Sequence, residues 1–139
     1  LWPVSLERQS LASALSALAR DIEQLYGITV NVHAEGFVAE SGHAAHHLFR
    51  IAQEAIHNAI KHGQARLIDV RVEQVPPRAM LSVVADGAPL DLHRARTSDG
   101  MGLLGMRLRA EALGGEFSIE PLPAGGSEVC VTWTPRAAA

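Results

Sequence analysis

One sequence, Gln53-Glu54-Ala55-Ile56-His57-Asn58-Ala59-Ile60-Lys61-His62, combines a helical apolar pattern with a polar stripe. Apolar side chains recur in and just before it at helical spacing, which predicts a long amphipathic helix over residues 43–62. Side chains four positions apart lie above one another on a helix, so Glu54 and Asn58 share one face. With Lys61 and His62 they supply the groups that hold a hydrated metal ion and a polyphosphate. The alternative interpretation is the solvated face of an ordinary amphipathic helix.

Composition limits the classes of protein that this chain can represent. Its 139 residues and 47% hydrophobic content suit a single domain over residues 1–139 and exclude a disordered charged tail. Twelve basic and 15 acidic residues give a net charge of −3, which offers no electrostatic reason to expect direct contact with nucleic acid. No apolar run approaches the roughly 18 residues of a membrane span, so no membrane contact by this domain is predicted.

The single cysteine and the chain ends bear on the location of the protein. Cys130 has no partner for an intramolecular disulfide and lies in an alternating apolar run, so it is interpreted as a small core residue. A reducing, cytoplasmic location is therefore expected. The chain begins with Leu1 and ends in alanines, which is typical of a fragment of a longer protein, and the membrane anchoring of that protein stays open.

Periodicity and turn signals divide the chain into helices and strands. Helices are predicted over residues 10–26, 43–62 and 103–113, and strands over residues 28–32, 65–75, 80–85, 116–120 and 128–134. This order predicts an α/β two-layer sandwich, in which helices pack on one face of a mixed sheet. Residues 86–100 are rich in charge and short of apolar side chains, so this irregular run is interpreted as a functional lid.

A glycine-rich sequence follows the irregular run and opens the third predicted helix: Asp99-Gly100-Met101-Gly102-Leu103-Leu104-Gly105-Met106. Glycines let the backbone approach a ligand closely, and the unpaired N–H groups of a helix start favour an anion. The pattern therefore predicts a phosphate cradle. It lacks the Gly-Lys-Ser/Thr of a P-loop, and no strand leads directly into it, as a dinucleotide fingerprint requires.

Together these segments resemble the catalytic and ATP-binding domain of bacterial sensor histidine kinases, a domain of the superfamily shared with gyrase, Hsp90 and MutL. The likeness points to kinases of the nitrate-sensor type, which partner response regulators of the helix-turn-helix type. Residues 48–62 are similar to the N-box of the family. Residues 100–107, followed by Leu113-Gly114-Gly115, are similar to its second glycine box. The resemblance implies a Bergerat-type ATP-binding fold over nearly the whole chain.

The resemblance also implies ATP and Mg²⁺ as cofactors and a role for each candidate residue. Asn58 would coordinate the Mg²⁺, and Glu54 would act on the reacting groups as a base or as an orienter of Asn58. Lys61 and His62 would lie near the phosphates. The backbone of the second glycine box would approach the phosphates at Gly100, Met101, Gly102 and Leu103. Residues 91–99 would form the ATP lid.

The first glycine box departs from the family pattern Asp-x-Gly-x-Gly. Ala85 stands where the adenine-reading Asp is expected, Asp86 comes one position late, and Pro89 replaces the second glycine. One position along a strand points to the other face, so Asp86 could replace the lost contact only in a rebuilt turn. The last glycine box of the family falls on residues 124–127. Asp86, Gly87 and Ser127 complete the predicted nucleotide-binding residues. Weak or altered ATP binding is expected.

The predicted function is that of a histidine kinase catalytic domain in a two-component system. Such a domain would transfer the γ-phosphoryl group of ATP to a histidine on a dimerisation helix outside this chain. Its partners would be those helices and a response regulator. Two alternatives stay open: a degenerate module that relays signals without useful ATP affinity, and another ATPase of the superfamily. The presence of Glu54 and Asn58 favours the kinase, whereas Ala85 and Pro89 favour the degenerate module.

Overall fold

The computed structural model describes residues 10–91 and 102–136 of the chain. These residues form the helices α1 (Leu11–Tyr26), α2 (Gly42–Gly63) and α3 (Leu103–Ala112) and the strands β1 (Thr29–His33), β2 (Leu67–Val75), β3 (Arg78–Ala85), β4 (Glu116–Pro121) and β5 (Ser127–Trp133). Every predicted element is confirmed, with boundaries that differ by at most two residues. Within the described ranges, none of the helices has both the length and the apolar character needed to span a bilayer.

The five strands form one mixed sheet in the order β1-β2-β3-β5-β4. β1 pairs with β2 in parallel, and the other three pairs are antiparallel. Parallel neighbours need a long crossover connection, which α2 supplies between β1 and β2. Ala85, the last residue of β3, lies opposite Ile68 of β2 and Ser127 of β5. This register brings the first and last glycine boxes of the sequence side by side.

The helices cover one face of the sheet, which confirms the predicted two-layer α/β fold. Alternate strand residues point toward this layer, as in Ile68, Val70 and Val72 of β2, which are at most 2% exposed. Leu15 of α1 and Ile56 of α2 are buried against them from the helix side. Full burial of one such side chain contributes about 1.5–3 kcal/mol, so the alternation fixes which face of each strand meets the helices.

The opposite face of the sheet is polar. Ser82 donates a hydrogen bond of 3.0 Å to Glu128 Oε2 on this face. Cys130 lies opposite Ser82 and is half-buried, so its interpretation as a core residue is wrong. The reason is the period of two, because Val129 and Val131 point inward and the residue between them must point outward. Partial burial raises the pKa of the Cys130 thiol.

Local hydrogen bonds cap both ends of α2 and set where this helix begins and ends. At the first turn, Ser41 Oγ accepts a hydrogen bond of 3.1 Å from the Ala44 N–H, a cap that contributes about 1 kcal/mol. At the last turn, Gln64 adopts a left-handed conformation with φ +52° and donates its N–H to the Ala59 carbonyl. The helix therefore stops at Gly63, directly after Lys61 and His62.

Candidate functional site

The polar stripe of α2 forms one wall of the candidate site. Asn58 is buried, with 5% of its surface exposed, and Glu54 lies half-buried one turn earlier. Lys61 and His62 are exposed in the last turn of the helix. A solvated helix face would expose the Asn58 amide, so the burial of Asn58 does not fit that alternative. Because a buried amide is costly unless it is bonded, this position indicates a specific polar environment.

The second glycine box meets this wall at Gly102. The residue has φ +63° and directly precedes α3. A Cβ added at Gly102 would lie 2.7 Å from Glu54 Oε2 and 3.0 Å from the carboxyl carbon, so only glycine fits here without moving Glu54. Among the residues that the structure describes, no side chain caps the start of α3, and unpaired N–H groups at a helix start favour an anion. Leu103 begins the helix and is half-buried, whereas the predicted Gly100 and Met101 lie outside the described residues.

The first glycine box is fastened to the C-terminal end of α2. The Ala88 N–H donates a hydrogen bond of 2.9 Å to the Gly63 carbonyl. Gly87 has φ +92°, and a Cβ at this position would overlap the same carbonyl oxygen. This packing holds residues 87–88 beside the last turn of α2, which carries Lys61 and His62.

The structure separates Ala85 from Asp86. Ala85 is buried on the helix-facing side of β3, with 6% of its surface exposed. Asp86 Oδ1 accepts hydrogen bonds from the backbone N–H groups of Leu67, at 3.0 Å, and Arg66, at 2.7 Å. These bonds lower the pKa of Asp86 and fix its carboxylate at the start of β2. Oδ1 is thus engaged by the backbone, and participation of Asp86 in nucleotide binding stays a prediction.

The last glycine box closes the same corner of the sheet. A Cβ on Gly126, which has φ +83°, would overlap the Ala85 carbonyl oxygen. The next residue, Ser127, accepts a hydrogen bond of 2.8 Å at Oγ from the Leu90 N–H. Ser127 thereby holds the segment that follows the first glycine box. Its predicted contact with a nucleotide stays a prediction.

Sequence reasoning missed a second polar cluster between α2 and α3. Arg109 Nη1 lies 3.3 Å from His47 Nδ1. Burial and the Arg50 guanidinium lower the pKa of Arg109, whereas the Glu54 carboxylate raises it. The spacing of His47, Arg50 and Glu54 by three and four residues was a signal that these side chains share one stripe of α2. Arg109, the partner on α3, is 62 positions away from His47, and no local sequence pattern predicts this contact.

The geometry combines groups that suit a phosphate chain and a hydrated divalent cation. Backbone N–H groups at the start of α3 favour negative charge. A carboxylate from Glu54 and an amide from Asn58 offer oxygen ligands of the type that Mg²⁺ prefers. No group of three or more His, Cys, Asp or Glu side chains that could hold a metal occurs in the described part of the chain.

Fold and site together define a nucleotide-binding domain of the ATPase type. The chain belongs to the family of histidine kinase-, DNA gyrase B- and HSP90-like ATPases, whose family model matches residues 43–138. The match covers all of α2 except its first residue, the second glycine box and the last two strands. The family predicted from the sequence is confirmed, and it implies ATP as the ligand of the domain.

Curated proteins similar to this chain include nitrate/nitrite sensor proteins. The nitrate/nitrite sensor protein NarX of Escherichia coli (strain K12) is 39% identical over 94 residues, which cover 68% of this chain and 16% of NarX. The NarX proteins of Escherichia coli O157:H7 and Shigella flexneri match with the same identity and coverage. The chain thus spans only a small part of the length of these curated relatives.

Solved structures share the fold at low identity. The histidine kinase domain of the blue-light activated histidine kinase EL346 from Erythrobacter litoralis superposes with a TM-score of 0.76 and 20% identity, covering 92% of this chain and 62% of that one. The ATP-binding domain of PrrB from Mycobacterium tuberculosis superposes with a TM-score of 0.72 and 19% identity, covering 93% and 96% of the two chains. The fold is therefore that of a histidine kinase catalytic domain.

Proposed function

We propose that this chain binds Mg²⁺-ATP and provides the catalytic domain that phosphorylates a histidine on a dimerisation helix outside it. The observation that carries this proposal is the contact between Gly102 and Glu54, one turn from buried Asn58. It joins a helix start that favours phosphate to a carboxylate and an amide. Phosphoryl transfer needs little more from the protein than positioning and neutralisation of charge, and these are the groups present.

The triphosphate would lie across the start of α3 and the last turn of α2. The N–H groups that follow Gly102 would bind phosphate oxygens, together with the backbone of Gly100 and Met101 in the same sequence motif. Lys61 and His62 are exposed at the end of α2, where an ammonium and an imidazole can neutralise phosphate charge.

Asn58 would hold Mg²⁺ through its amide oxygen, with phosphate oxygens and water as the other ligands. This donor set fits, because Mg²⁺ is commonly held by few protein oxygens together with substrate phosphates. When bound, the ion would neutralise the charge of the phosphate chain. Glu54 would either orient Asn58 or accept the proton of the attacking imidazole, the two roles that its half-buried carboxylate allows.

The nucleobase end of the site differs from the family pattern. Ala85 supplies no carboxylate at the position that would read adenine, and Asp86 Oδ1 is engaged by Arg66 and Leu67. A hydrogen bond to a charged group contributes about 1.5–3 kcal/mol, so its absence corresponds to roughly 10- to 150-fold weaker binding. We therefore expect weak ATP binding and little discrimination between ATP and GTP.

The test is calorimetric titration of the chain with Mg²⁺-ATP and Mg²⁺-GTP, repeated with Asn58→Ala. Loss of Mg²⁺-dependent binding in the variant is expected, because the amide oxygen would be a direct ligand. Asn31→Ala is the matched control, since that amide bonds to Asp69 on the outer face of the sheet. Unchanged Mg²⁺-dependent binding in Asn58→Ala would remove the metal role.

Ala85 and Pro89 support a second candidate function, a degenerate kinase-like module that relays signals without useful ATP affinity. Titration separates the two functions, because the module would give no heat up to millimolar nucleotide. In either case the partners would be the dimerisation helices and a response regulator of the helix-turn-helix type, without direct contact to nucleic acid. The domain would act in the cytoplasm as part of a two-component system.

A further inference from the structure

Besides its buried apolar side chains, α3 makes two contacts with α2, one near each end of α3. At the start, the backbone of Gly102 packs against the Glu54 carboxylate. Seven positions later, or about two turns, Arg109 Nη1 meets His47 Nδ1 at 3.3 Å. His47 precedes Glu54 by the same number of positions on α2. The two helices therefore run antiparallel here, and the two contacts supplement the core packing of Met106 and Ala110.

The chemistry of the Arg109–His47 contact has only one consistent form. An arginine side chain can only donate hydrogen bonds, so His47 Nδ1 must be the acceptor. His47 is therefore neutral, with its proton on Nε2. Burial and the Arg109 guanidinium lower the pKa of His47, which favours this form. A protonated His47 would lose its acceptor atom and would add a positive charge beside Arg109.

The charged groups of the described residues that act on Arg109 lie on α2. Arg109 is half-buried, and the guanidinium of Arg50 on α2 opposes its charge. Arg50 Nε is itself buried and has no hydrogen-bond partner among the described residues. Glu54 is the carboxylate whose charge favours that of Arg109. The side chain of Arg109 is thus directed by groups on α2. Its removal would leave buried Met106 and Ala110 to hold the C-terminal half of α3, without a polar contact to α2 at that end.

We propose that Arg109 is a positioning residue for the phosphate-binding end of the site: by donating to neutral His47 it fixes α3 so that Gly102 and the first N–H groups of the helix face Glu54 and Asn58. This role rests on the proposed function. A helix start binds a phosphate well only when its N–H groups are held in place beforehand. Buried Met106 and Ala110 keep α3 in the core, but apolar packing is less directional than a hydrogen bond. Without the Arg109 contact, small tilts of α3 would move its first N–H groups relative to Glu54.

The test is a double-mutant cycle between His47→Ala and Arg109→Ala, measured by calorimetric titration of the chain with Mg²⁺-ATP. Each single variant should weaken binding by about 5- to 20-fold, and the double variant should bind no more weakly than the weaker single one. His47→Gln, which retains an acceptor, should bind more tightly than His47→Ala. Additive effects of the two alanine substitutions would overturn the proposal.

Arg107→Ala is the matched control on the same helix. Arg107 is exposed and stacks over the Phe117 ring at 5.4 Å, on β4 and away from α2. The variant Arg107→Ala should leave the affinity for Mg²⁺-ATP unchanged. In the double variant with His47→Ala, the two effects on affinity should be additive. Thermal unfolding is measured in parallel, because a merely structural role of Arg109 would lower the unfolding midpoint and leave the affinity equal to that of Arg107→Ala. That outcome would also overturn the proposal.

Two further measurements keep the test decisive. If Arg109→Ala does not fold, Arg109→Lys retains the charge with a different donor geometry, and affinity equal to wild type in that variant would overturn a role for the guanidinium. Nitrogen NMR of His47 should show the Nε2–H tautomer at neutral pH, and a doubly protonated ring would contradict the contact. Failure of the proposed function is distinguishable, because the wild-type chain would then bind neither Mg²⁺-ATP nor inorganic triphosphate.

Discussion

Replacement of Gly102 by alanine tests the central contact of the site. The residue has φ +63° and separates the Glu54 carboxylate from the start of α3. Two costs arise from the added methyl group, one in the backbone and one in Glu54. The magnitude of each cost can be assigned from the structure. Substitution of a second glycine, Gly114, would incur only the backbone cost.

The backbone cost is about 1 kcal/mol, because an L-residue is disfavoured in the left-handed region. The second cost comes from the new Cβ, which would lie 2.7 Å from Glu54 Oε2 and 3.0 Å from its carboxyl carbon. Glu54 must leave its rotamer to avoid it, at a further cost of about 0.5–1.5 kcal/mol. The free energy of unfolding should therefore fall by about 2 kcal/mol in Gly102→Ala.

Gly114→Ala is the control, since Gly114 has φ +71° and open space around its missing Cβ. It should lose only the backbone cost of about 1 kcal/mol. Denaturant unfolding measures both stabilities, and titration with Mg²⁺-ATP should show about 10-fold weaker binding for Gly102→Ala alone, which corresponds to 1.4 kcal/mol. Glu54→Asp combined with Gly102→Ala should recover part of the lost stability, because the shorter side chain withdraws the carboxylate. Equal stability and equal affinity in the two glycine variants would refute the reasoning.

Two further predictions concern the first glycine box. Ala85→Asp should tighten ATP binding by about 1.5–3 kcal/mol without a gain for GTP, measured by titration; unchanged affinity would mean that position 85 does not face the base. Asp86→Asn should destabilise the fold near neutral pH, because two backbone N–H groups lower the pKa of Asp86 below 3.8 in the folded state. That stabilisation is complete above the unfolded pKa and is lost as the pH falls through the lower folded pKa. Wild type and Asp86→Asn should therefore converge in acid unfolding curves, and a constant difference at all pH values would contradict the carboxylate contact.

Much of this fold was predictable because its signals are local. The apolar period of α2 and the alternation in β2 each follow from which side chains must leave water. The pairing of β1 with β2 in parallel was less accessible, because the strands are joined by α2 and no turn sets their register. The polar stripe of α2 was predictable for the same reason as its apolar stripe, because helical spacing alone places Glu54 beside Asn58. The Arg109–His47 contact joins two helices and has no such local signal.

The glycines of the sequence indicated where the site lies but did not indicate why a side chain is excluded at each position. The sequence predicts Gly87 as a nucleotide-binding residue. In the structure a Cβ there would overlap the Gly63 carbonyl, and a Cβ on Gly126 would overlap the Ala85 carbonyl. Both positions therefore need glycine for the approach of backbone to backbone, whether or not a ligand binds. Gly102 differs, because the group that excludes its Cβ is the carboxylate of Glu54, and this is why substitution there tests the chemistry of the site as well as its packing.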